Sequence, residues 1–348
     1  MYKTAAAILS ALFLVFLFLT PDLVTEGAKN GIILLTDILI PSLFPFMALI
    51  GFMSLSGILD IICVPLRLIT GKLLHLPDKL GAVVIASIIG GFPSGARILS
   101  SLVDQSRLSR EDAAAMLGCC INPGPAFVVI AVGKMMFNSV SVGWILLLSQ
   151  LLSTFFIAGW IGRHTKFNRA AKTPHMTFSS ALVKGVSDAS SAMISIGGFV
   201  LLFAVISNII SSLFMFNQFI ITVVSGILEV TNGCVAVSEI GGKSGVIIAS
   251  FFVSFSGLSV CCQVMSLAIN SGISAKNIIK TRLIAAVISS LLTAVFLIFD
   301  NTAISVFSGF NSPVATFSPN RLLSGVCICG IIIMTMTKVN LTGKSTEI

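Results

Sequence analysis

Apolar residues run along this chain in blocks separated by short polar stretches, and the blocks reach the ~20 residues that an α-helix needs to cross a bilayer core. The pattern predicts helices over about 4–20, 31–57, 111–138, 140–162, 186–213, 244–271, 283–299 and 321–337, with 58–76 lying at the interface. Two further apolar stretches are interrupted midway. Leu80–Val103 breaks at Gly90-Gly91-Phe92-Pro93-Ser94-Gly95, and about 217–240 breaks at Glu229-Val230-Thr231-Asn232-Gly233. Arms of about nine residues are too short to span separately, so each stretch predicts a re-entrant hairpin with its tip near mid-membrane.

Charge then orients the helices. Threading Lys3 inside places sixteen basic residues on the cytoplasmic side: Lys3, Arg67, Lys72, Lys79, Arg107, Arg110, Arg163, Lys166, Arg169, Lys172, Lys184, Lys276, Lys280, Arg282, Lys338 and Lys344. Lys29, Lys134, Lys243 and Arg321 face out, and Arg97 is left as the only basic side chain well inside the bilayer zone. Both termini are cytoplasmic in this threading. Trp144 and Trp160 sit near the ends of the 140–162 helix as interfacial anchors. The first apolar run lacks an A-x-A-like cleavage site, which favours an uncleaved helix over a signal peptide.

Composition closes off whole classes of function. Of 348 residues, 56% are hydrophobic and only 10% charged, too few charges to cover a soluble globule. The net charge of +8 is a topology signal in this setting and names no nucleic-acid partner. The eight cysteines lie almost wholly in apolar segments and read as small buried hydrophobes, without a disulfide framework or metal site. Gly241-Gly242-Lys243-Ser244 has Val237 where a phosphate-binding loop needs glycine, and the three histidines lack partners, so no enzyme is expected. No cofactor is indicated; a coupling proton or sodium ion stays open.

The expected architecture is an all-α polytopic membrane protein, one integral membrane domain over 1–348. Repeat one covers about 31–162 and repeat two about 186–299, with extra helices at 4–20 and 321–337. Each repeat holds a hairpin followed by a helix broken at glycine, and the two are inverted in the membrane. Gly95 corresponds to Gly233, and Gly124 in Asn122-Pro123-Gly124-Pro125 to Gly257 in Phe255-Ser256-Gly257-Leu258-Ser259. Inverted halves with discontinuous helices characterise secondary transporters, where half-helix ends meet the substrate near the midplane. The competing reading is four kinks in packed helices.

The candidate binding set follows from those breaks. It comprises Gly91, Phe92, Pro93, Ser94, Gly95 and Arg97 at the first tip, with Asn122 and Gly124 at the first break. The second tip contributes Glu229, Thr231, Asn232 and Gly233, and the second break Ser256, Gly257, Ser259 and Gln263. Arg97 offers a planar fork to a carboxylate or phosphate, or else snorkels or pairs with Glu229. Glu229 is suited to hold a cation, carry a proton or accept hydrogen bonds from a polar substrate.

The two tips, the stretch Leu108-Ser109-Arg110-Glu111-Asp112-Ala113, the Asn122-Pro123-Gly124-Pro125 break, and the Phe255-Ser256-Gly257-Leu258-Ser259-Val260 run with Gln263 together resemble the nucleoside-recognition (Gate) membrane family, within it the YlbJ-like sporulation branch. The resemblance covers about residues 35–300. It implies a fold similar to concentrative nucleoside transporters, with substrate held between two re-entrant hairpins and two broken helices. It also implies a bacterial cell membrane or outer forespore membrane, and transport of dipicolinic acid, an aromatic dicarboxylate, from the mother cell toward the forespore. The acidic sodium-site pattern of nucleoside symporters is missing from the sequence. The expected function is thus transport of a small organic anion, the partners being that small molecule and the lipid bilayer. The alternatives are a nucleoside transporter and a non-transporting sporulation scaffold; family analogy also allows a homo-oligomer.

Overall fold

The computed structural model describes residues 2–66, 68–167, 176–213 and 218–299, all within one compact unit, Met1–Phe307. The predicted 321–337 helix, Arg67, Arg169, Lys172 and the tail lysines lie outside the described residues. Every regular element described is helical. Five of the helices are long and apolar enough to cross a membrane.

The chain begins with helix α1, Tyr2–Leu19, and the first of the five is α2, Pro21–Ser56. Pro21 opens α2 at a position where a missing N–H costs nothing. Within α2 the winding loosens to π-type over Leu34–Leu39, just ahead of Pro41, which has no N–H to return to the Asp37 carbonyl. Gly57, left-handed at φ 79°, stops the helix.

Next come α3 (Asp78–Gly90) and α4 (Phe92–Asp104), two helices packed on each other and joined by Gly91 alone. Helix α5 (Arg110–Leu117) is capped by the Ser109 side chain, which accepts from the Asp112 N–H at 3.0 Å. A short 3₁₀ turn, Gly118–Cys120, ends it, and the chain stays non-helical through Asn122-Pro123-Gly124 before α6 (Ala126–Met136) resumes with π-type winding. The single 111–138 helix is therefore two half-helices.

Helix α7 (Val140–His164) and the 36-residue α8 (Phe178–Leu213) follow. At 1.5 Å per residue α8 is roughly 54 Å long, well over the ~30 Å hydrocarbon thickness. It starts eight residues before the expected 186. Lys184, expected in the basic loop, thereby sits on the same helix as Asp188. Then come α9 (Gln218–Leu228), α10 (Val230–Ile240), α11 (Gly242–Phe255), α12 (Gly257–Asn270) and α13 (Ile278–Phe299).

Packing follows the placement of small residues. Helix α2 lies along α8, with Gly27 and Gly31 against Val205, Ala204 and Leu201, and Gly185 against Phe52 and Ala48. Helix α11 lies along α13, and α7 fills the space between α13 and α6. Gly133 and Gly143 let α6 and α7 touch backbone to backbone. The outward faces carry large apolar side chains such as Phe156 and Trp160, each 62% exposed, as lipid-facing surfaces do.

Candidate functional site

Each tip is one residue wide, narrower than the five- and six-residue breaks predicted. Gly91 adopts φ 83°, ψ −178°, a region essentially restricted to glycine, whereas Ser94, Gly95 and Arg97 are already helical on α4. Glu229 is extended at φ −144°, ψ 124°, and Thr231, Asn232 and Gly233 are helical on α10.

Both hairpins pack on the broken helix that follows them, through matching contacts. At the first, a Cβ on Gly91 would lie 3.5 Å from the Gly124 nitrogen, and one on Gly95 would strike Ser87 of the other arm and the Cys120 carbonyl. At the second, a Cβ on Gly257 would lie 3.0 Å from the Val230 nitrogen, and one on Gly233 would strike Gly226 of the other arm and Phe252. Backbone or a neighbouring arm thus fills the space of a side chain at Gly95, Gly233 and Gly257, whereas a Cβ on Gly124 would make only ordinary contacts, the nearest at 3.6 Å.

The two tips meet. Phe92 and Pro93 face Glu229, Val230, Thr231 and Gln263 around a cavity of about 20 Å³. Glu229, 2% exposed, spends both carboxylate oxygens on its own helix: the Asn232 N–H donates to Oε2 at 2.7 Å and Thr231 Oγ1 to Oε1 at 3.0 Å. Its geometry is that of an N-cap. Gln263 Nε2 donates to Ser259 Oγ at 3.3 Å behind this cavity.

Arg97 does not join the tips, nor does it pair with Glu229. The face of α4 bearing Ser94, Arg97, Ser101 and Gln105 lines a separate cleft of about 170 Å³ between α2, α3 and α8. Arg97 Nη1 stands 3.7 Å from Asp188 Oδ1, and Asp188 is shared with Lys184 at 3.1 Å. Among the described residues the buried Arg97 Nε has no hydrogen-bond partner. Lys79, Arg107 and Asp60 stand at the same cleft, so basic side chains exceed acidic ones on its walls.

A third group, on the far side of the breaks, was only partly foreseen. Asn122 donates from Nδ2 to Ser87 Oγ at 2.8 Å and to the Cys119 carbonyl at 2.9 Å, and its Oδ1 accepts from Thr154 Oγ1 at 2.6 Å and Gln150 Nε2 at 3.2 Å. Gln150 in turn accepts from Ser254 Oγ. Arg282, expected in a cytoplasmic loop, is 1% exposed on α13: its Nη2 donates to the Ser254 carbonyl and, at 3.2 Å, to Ser256 Oγ, while Nη1 donates to the Gly118 carbonyl at 3.4 Å. Arg97 is therefore not the only basic side chain deep in the fold, and Arg282 leaves the cytoplasmic tally. Ser256 holds the left-handed φ of 75° beside it.

Periodicity carried a signal for these missed residues. Arg282, Ala285, Ala286, Ser289 and Thr293 form a small and polar stripe at helical spacing on an otherwise apolar α13, as do Ser149, Gln150, Ser153 and Thr154 on α7. Such stripes in a membrane helix face protein.

With this geometry in place, comparison adds one relative. The chain is similar to the sporulation integral membrane protein YlbJ of Bacillus subtilis (strain 168), 25% identical over 320 aligned residues that cover 78% of each protein. No family model matches the chain, and no solved structure matches it. The helices and this relative together make the chain an integral membrane protein similar to a sporulation protein.

Proposed function

We propose that this chain is a secondary transporter or facilitator for a small organic anion, set in spore formation, with dipicolinic acid as its substrate. One observation carries the reading: the Arg97 guanidinium faces a cleft and, among the described residues, is held only by a 3.7 Å contact to an Asp188 already shared with Lys184, its Nε unsatisfied. A planar fork in that state is suited to bind a carboxylate in place of the internal acid. In this reading α3–α4 and α9–α10 are re-entrant hairpins of two inverted repeats, and the chain shares the Gate-type, concentrative-nucleoside-transporter-like arrangement. The matched glycine contacts at the two tips support that symmetry. The remaining candidates act around Arg97: Ser94 lines its cleft, while Gly91, Phe92, Pro93, Glu229 and Thr231 close the tip contact that must part for substrate to pass.

The test is equilibrium binding and proteoliposome flux with dipicolinate and a nucleoside panel, comparing wild type with Arg97→Ala. Saturable dipicolinate binding and flux, both lost in Arg97→Ala, are expected. Uridine or adenosine competing where dicarboxylates do not overturns the anion reading for nucleoside transport. Absence of binding and flux to any of these overturns it for a scaffold.

A further inference from the structure

Arg282 stands where two half-helices end. Helix α11 stops at Phe255, and the Gly118–Cys120 turn closes the half-helix begun at Arg110. The last carbonyls of a helix lack intrahelical partners and carry the negative end of its dipole. Here the Gly118 and Ser254 carbonyls both accept from one guanidinium, together with Ser256 Oγ. Among the described residues no carboxylate lies within ion-pairing distance of it. The countercharge of this buried cation is made of two carbonyl ends and the Ser256 hydroxyl.

In transporters with discontinuous helices, unwound carbonyls and half-helix C-terminal ends are the ligands of a coupling Na⁺ or H⁺. We propose that Arg282 is a tethered cation: its guanidinium occupies, between the two broken helices, the electrostatic position that a coupling sodium ion would otherwise fill. It ties the first break to the second from a third helix, α13. A second monovalent cation about 4 Å away would bind roughly a thousandfold more weakly at an effective dielectric of ~20. The consequence is a transport cycle independent of sodium. Arg282 is a positioning residue in this account: it touches the breaks, not the substrate. The consequence rests on the transport reading, but the tethered cation itself is tested without any substrate.

The experiment is thermal unfolding of the purified full chain in detergent, in NaCl and in choline chloride, for wild type, Arg282→Ala and Arg282→Lys. Wild type is expected to melt at the same temperature in both salts. Arg282→Ala is expected to melt several degrees lower and to recover at least half of that loss with about 10 mM guanidinium chloride, far below denaturing concentrations. Wild type should not respond to this addition. Arg282→Lys, which keeps the charge and loses the fork, is expected to fall between them and stay insensitive to sodium. Should Arg282→Ala not fold, the wild-type and lysine melts decide alone. A sodium-specific rise in either, or an alanine variant that folds but is as stable as wild type or blind to guanidinium, overturns the proposal. Loss of dipicolinate flux would leave these melts unchanged, whereas sodium-dependent melts would remove the tethered cation and leave the Arg97 site standing.

Discussion

Gly91 and Gly124 meet backbone to backbone, so the first hairpin tip rests directly on the first helix break. A Cβ on Gly91 would be 3.2 Å from Leu43 Cδ2 and 3.5 Å from the Gly124 nitrogen, and Gly91 itself is at φ 83°. A Cβ on Gly124 would meet Gly91 Cα at an ordinary 3.6 Å. The pair is unequal: one glycine is required by its dihedrals, the other only lies close.

Gly91→Ala is accordingly expected to lose about 1–3 kcal/mol, the usual cost of forcing a side chain into such a conformation. Gly124→Ala is expected to stay within about 0.5 kcal/mol of wild type. Melting temperatures of the two variants in one detergent check this, and equal losses would refute the dihedral argument.

At the cleft, Asp188 competes with any incoming anion for Arg97. Removing its charge by Asp188→Asn is predicted to tighten dipicolinate binding several-fold, while Arg97→Lys, which loses the fork, weakens it. Titration calorimetry at low and high salt reads both changes. A weaker dicarboxylate affinity in Asp188→Asn would show that the acid organises the site instead of competing for it.

Where the arms of the second hairpin touch, Gly233 leaves no room for a methyl group against Gly226 and Phe252. Overpacking of this kind costs about 1–3 kcal/mol, so Gly233→Ala should melt well below wild type. Gly198 on α8 has nothing within 4 Å of its added Cβ, and Gly198→Ala serves as the neutral control. Similar melting of both variants would mean that the arms can separate at little cost.

Asn122 joins the first break to α3 and α7 through Ser87, Gln150 and Thr154. Asn122→Ala strands these buried groups and is expected to cost about 1–3 kcal/mol. Because the bond that Thr154 Oγ1 donates to Asn122 is lost in either single variant, the double variant with Thr154→Val should be less destabilised than the sum of the singles. Strict additivity in the melting data would dissolve the network.

The broad architecture was legible in the chain because bilayer chemistry imposes it: apolar runs long enough to span, glycine and proline where helices must break, and few charges elsewhere. Hence the described helices, and their interruptions at Gly91, Asn122–Gly124, Glu229 and Ser256, stand close to where hydropathy placed them. Tip width was not legible. Whether Ser94 or Thr231 continues a helix depends on the capping of one residue, Gly91 or Glu229, and on the partner that residue rests against.

Charge was the least legible feature, because a positive-inside count assigns a basic residue to a side of the membrane without asking what its helix packs on. Arg282, two residues from Lys280, counted as cytoplasmic until the α11–α13 packing carried it to the carbonyls of Gly118 and Ser254. Arg97 and Glu229 were both expected at a convergent site. The fold gave one an open cleft beside Asp188 and the other a cap on its own helix. Spacing along a chain sets which residues share a helix face; only the crossing of distant helices decides whether that face meets lipid, water or a half-helix end, since those contacts join separate helices, as Arg282 reaches Gly118 across 164 positions.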